Sequence, residues 1–156
     1  MPFPYLLALC RGSSLDQEDN NITLFSLVEM VTVTELLPTI LPLEVHAYYE
    51  FPESERGREY ELRIVMVSEE RGSEQVSDSL MVVSHHPRHR VRIQGVPVAW
   101  PGRISVFSEI RPRGSELTSW ERSAHRWPLE VSWTGAAPAG WKYVLLACSV
   151  GRAPIV

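Results

Sequence analysis

Three histidines fall within five residues, in His85-His86-Pro87-Arg88-His89. Imidazole nitrogens suit zinc, copper or nickel, and a catalytic zinc often takes three protein ligands. The spacing works against full convergence. In an extended strand His85 and His86 point to opposite faces, and a turn at Pro87 brings together only two of the three. Arg88, Arg90 and Arg92 beside them repel a cation. The competing reading of His85, His86 and His89 is a solvated polar turn between two strands.

The same arginines are a second candidate. Arg88, Arg90 and Arg92 occupy every second position, so one strand face carries all three. Arg103 and Arg111 extend that face if their strands pair with it. Such a stripe can hold phosphates. It lacks interleaved aromatics for base stacking. The formal net charge of -4 also argues against nucleic acid as the main partner. A solvated face, neutralised by Glu61 or Glu109, is the alternative.

Trp120-Glu121-Arg122 is the third. All five tryptophans lie at or beyond residue 100, and most should fill the core. An exposed tryptophan beside arginine makes a protein-binding hot spot, and Trp120 with Arg122 fits that pattern best. Asp16 to Asn21 offers oxygen ligands for calcium, but without the ordered spacing and central glycine of a helix-loop-helix site. Nucleophilic chemistry has little support. There is no Gly-x-Ser-x-Gly elbow and no phosphate-cradling glycine loop. Cys148 sits in an apolar run, and Cys10 merely adjoins Arg11. No carboxylate pair stands out. No catalytic residue is assigned and no cofactor is expected.

The elements that must position these residues read as strands. The chain has 156 residues, the usual size of one domain, and is 44% hydrophobic and 22% charged. Twelve prolines and nine glycines punctuate short apolar runs. Leu43, Val45, Ala47 and Tyr49 alternate with Glu44, His46, Tyr48 and Glu50, the pattern of a half-buried strand. Tyr60 to Val67 alternates likewise, and a polar loop joins the two runs, which predicts an antiparallel pair. Tyr5–Cys10, Val76–Ser84, Arg88–Val96, Ile104–Ile110 and Trp127–Trp133 are further strands. Residues 22–37 fit helix or strand, and the β-branched run Val31 to Thr34 favours strand. The sum is an all-β antiparallel sandwich, immunoglobulin-like or similar, of about eight strands. It spans 1–134, with 135–156 as an extension that is either a packed strand or a tail.

Leu43–Val67 and the run Ile93 to Val106, with Pro101-Gly102 between two short strands, carry a resemblance. So does closure by Trp127-Pro128-Leu129-Glu130-Val131. These segments resemble a family of small uncharacterised bacterial β-sandwich proteins. The resemblance implies the fold and carries no activity.

No apolar run approaches the ~20 residues that span a bilayer. No charged start precedes the short apolar stretch at Tyr5–Leu9, so no signal peptide is expected. Two reduced thiols, Cys10 and Cys148, and a cytoplasmic location follow as expectations. The expected function is a non-catalytic interaction module or accessory subunit, acting through a protein partner or self-association. The alternatives are a metal-dependent enzyme using His85, His86 and His89, and a nucleic-acid binder using Arg88, Arg90 and Arg92.

Overall fold

The structure, a computed structural model, describes residues 2–16, 21–114 and 120–135. Eleven strands run through them: β1 Phe3–Leu15, β2 Ile22–Leu27, β3 Met30–Val33, β4 Thr39–Glu50, β5 Glu59–Ser68, β6 Glu74–Val76, β7 Leu80–Val83, β8 Arg88–Val98, β9 Gly102–Pro112, β10 Glu121–Arg122 and β11 Trp127–Trp133. They form two sheets. The first has the order β2-β1-β4-β8. The second has the order β3-β11-β9-β5-β6, with β7 also on β5 and β10 beside β9. Every pairing is antiparallel except β3 with β11, which is parallel. The chain is therefore an all-β sandwich, with no α-helix among the described residues.

Alternation builds the core. Leu43, Val45, Ala47 and Tyr49 of β4 face Tyr60, Leu62, Ile64 and Met66 of β5 across the sandwich. Leu7 and Leu9 of β1 join from one sheet, and Ile104, Val106, Leu129 and Val131 from the other. Fully burying one such side chain stabilises by about 1.5–3 kcal/mol.

This arrangement corrects the expected pairing of β4 with β5. Each lies in a different sheet. A 3-10 turn at Glu53–Glu55 carries the chain across instead of folding it back as a hairpin. The strand count also rises from about eight to eleven. Residues 22–37 supply two strands, β2 and β3, because the chain changes sheets at Val28, which is buried. The Val28 amide donates to Leu9 O, and its carbonyl accepts from Trp127 Nε1 at 2.6 Å. Val76–Ser84 splits into β6 and β7. Between them the Ser77 backbone and hydroxyl both bond Ile64 of β5. The short β10 is the third addition.

Residues 136–156, with Cys148, lie outside the described residues, as do 17–20 of the acidic loop. Asp16 N donates to Asn21 O at 2.8 Å and so brings the two ends of that loop together. Among the described residues no helix is long and apolar enough to cross a membrane.

Candidate functional site

The histidine turn lies between β7 and β8. His85 and His86 are exposed there, and His89 enters β8 half-buried. The His89 ring meets Phe51 edge-on, with centroids 6.3 Å apart. Burial, then the neighbouring His86 and His85, push His89 below its ordinary pKa.

Arg88, Arg90 and Arg92 do share one face of β8, opposite the inward Val91. Arg103 and Arg111 do not extend it, because β9 belongs to the other sheet. Glu61 and Glu109 are likewise beyond reach of the stripe. They pair with Arg111 and with Arg63 and Arg122. Arg92 instead lies 3.5 Å from Glu44, and Arg90 hydrogen-bonds Tyr48.

Trp120 stacks against two guanidinium groups, Arg63 at 4.0 Å and Arg111 at 4.4 Å from its ring. Arg122 forks to Glu109 at 2.8 Å and to Glu74 at 3.0 Å, and also lies over Phe107. These contacts lie over β5 and β9 on the outer face of the second sheet. Phe107 points outward into them, as its place in the alternation of β9 requires. The two hot-spot candidates thus have partners within the chain.

A different constellation converges on the outer face of the first sheet. β1 pairs with β4 so that Cys10 stands opposite Glu44 and Ala8 opposite His46. Glu44 and His46, two apart on β4, point the same way. Cys10, Glu44 and His46 each present a ligand atom within 4.8 Å of the other two. Among the described residues no other His, Cys, Asp or Glu group of three does so. Cys10 and His46 are fully buried, although both lie on the face turned away from the core. The small Ala8 beside them and the long side chains along β8 suit a covered position.

Glu44 is the hub of the cluster. Its Oε2 accepts from Ser13 Oγ at 2.7 Å and from His46 Nε2 at 3.1 Å. Its Oε1 accepts from Gln94 Nε2 at 3.2 Å and faces Arg92. Burial alone would raise this carboxyl. The three hydrogen bonds and Arg92 outweigh it and hold the group at about 2. Being ionised, the carboxylate only accepts, so His46 Nε2 donates. His46 Nδ1, buried, has no hydrogen-bond partner. Burial pushes the Cys10 thiol up, and the Glu44 charge adds to the rise against the opposing backbone hydrogen bond at Gly12.

Residue reasoning missed this cluster. Alternation already puts Glu44 and His46 on one face. Cys10 is 34 positions from Glu44 in the chain, and only the β1–β4 register joins them. No family model and no curated protein matches the chain.

Proposed function

We propose that this domain is a non-catalytic interaction module that self-associates through the free edge of β2. The observation that carries the reading is the character of the sheet edges among the described residues. An exposed edge strand offers unpaired N–H and C=O groups, and proteins usually defend it with charge, proline, bulges or shortness. β8 is defended by Arg88, Arg90, Arg92, Pro97 and a bend at Gly95, where φ is +81°. β3, β6, β7 and β10 have four residues or fewer. β2 is longer than these, and its six residues, Ile-Thr-Leu-Phe-Ser-Leu, carry neither charge nor proline; its single irregularity is Ser26, at φ +53°. Phe25 and Leu27 on it are exposed, and so is Leu6 on the adjoining β1.

The occupant we favour is a second copy. An uncharged strand brings no like charges together when it meets itself, and two-fold antiparallel pairing is self-complementary. Pairing would join two four-stranded sheets into one of eight. Among the described residues Cys10 is a free, buried thiol, which fits a reducing, cytoplasmic setting for this module. A bacterial source would fit the family resemblance, and the edge argument does not depend on it.

The two other readings have weaker support. A histidine-based enzyme must gather His85 and His86 from an exposed turn. A phosphate-binding face must free Arg92 from Glu44 and Arg90 from Tyr48.

Sedimentation velocity over a concentration series tests the proposal. We expect a concentration-dependent dimer for the native chain and a monomer for Phe25→Lys. The Phe25 side chain is half exposed, so the substitution should leave folding intact. A native chain that stays monomeric overturns the reading, and so does a dimer that Phe25→Lys leaves unchanged.

A further inference from the structure

We propose that Cys10, Glu44 and His46 form a binding site for a zinc ion that clips β1 to β4. The donor set is one thiolate sulfur, one imidazole nitrogen and one carboxylate oxygen, which suits zinc among the common divalent ions. Tetrahedral zinc with bonds of ~2.0–2.3 Å holds its ligand atoms about 3.3–3.6 Å apart. The three donor atoms already lie within 4.8 Å of one another. A contraction of about 1 Å along flexible side chains therefore closes the site.

The imidazole nitrogen placed to take zinc is His46 Nε2, 3.1 Å from Glu44 Oε2. Binding there needs the other tautomer, with the ring proton on Nδ1, which is buried and has no hydrogen-bond partner to hold it in the present one. Charge also balances. Binding displaces the Cys10 proton to solvent, and thiolate plus carboxylate then match a divalent cation. Arg92 faces only the far oxygen, Glu44 Oε1, at 3.5 Å. Its side chain is nearly half exposed and free to swing outward. Ser13 and Gln94, already bonded to the carboxylate, orient it.

The site is independent of pairing at β2, and its test reads a different property. Cobalt(II), titrated into the full chain under reducing conditions, is the spectroscopic probe. We expect a thiolate-to-cobalt charge-transfer band in the native chain and in Cys148→Ser, and its loss in Cys10→Ala. Zinc should raise the melting temperature of the native chain, and His46→Ala should weaken zinc binding at least tenfold. Where Cys10→Ala or His46→Ala fails to fold, X-ray absorption of the zinc-loaded native chain decides. One sulfur in the first shell, with nitrogen and oxygen, supports the site. A shell of nitrogen and oxygen alone overturns it, as does the absence of a cobalt band or a band that survives Cys10→Ala.

Discussion

Glu44 and Glu109 show how one carboxylate organises each outer face. Glu109 is buried and takes Arg63 at 2.7 Å and Arg122 at 2.8 Å, one guanidinium on each oxygen. Removing its charge leaves Arg63 without a carboxylate partner and Arg122 with Glu74 alone. Glu109→Gln should cost roughly 2–4 kcal/mol in urea unfolding, against under ~1 kcal/mol for an exposed pair. A loss within the smaller range would mean that water, not the protein, neutralises the two arginines. Glu44 gives a pH prediction. Its folded pKa, about 2, lies below the ordinary 4.5. A carboxylate depressed in this way stabilises the fold above the ordinary value. That stability disappears as pH falls from about 4.5 towards 2. With Arg92 half exposed and water screening it, the contribution should be about 1–2 kcal/mol. Glu44→Gln should flatten the drop in urea stability between pH 6 and pH 3 by roughly half of that, the rest falling below pH 3. Equal drops in both proteins would contradict it. At this scale the chain was legible where partners are near in sequence. The shared face of Glu44 and His46, and that of Arg88, Arg90 and Arg92, follow from alternation. The pairing of Arg63 with Glu109 spans 46 positions and has no local signature.

At the scale of elements, period-2 alternation located β4, β5, β8, β9 and β11, because each has one face on the core. It could not say which strands pair. A polar loop between two alternating runs reads as a hairpin, yet a loop that crosses the sandwich has the same composition. Residues 51–58 are of the second kind. Residues 22–37 were ambiguous for a related reason. β2 is an edge whose residues are mostly exposed, while Val28 and Val33 are buried, so no single period runs through the segment. The Pro101-Gly102 turn was legible, and the structure gives its cause. Gly102 has φ +104°, and a Cβ there would meet the Glu70 carboxylate at 2.9 Å. Only glycine takes that backbone without strain.

At the scale of the molecule, the sandwich closes through contacts distant in sequence. β3 runs parallel to β11, with Met30 beside Glu130, and so ties the early chain to the late. The inner faces of both sheets are consumed by the core, and the β5–β9 part of the second sheet's outer face carries the arginine–tryptophan network. Among the described residues, the outer face of the first sheet and its β2 edge offer a surface for other molecules. Hydrogen–deuterium exchange, compared at low and high protein concentration, tests this most directly. The account predicts that the alternate amides of Ile22–Leu27 that point away from β1 gain protection as concentration rises, while those of β8 do not. Unchanged exchange along β2 in a dimer, or protection appearing at another edge, would contradict it.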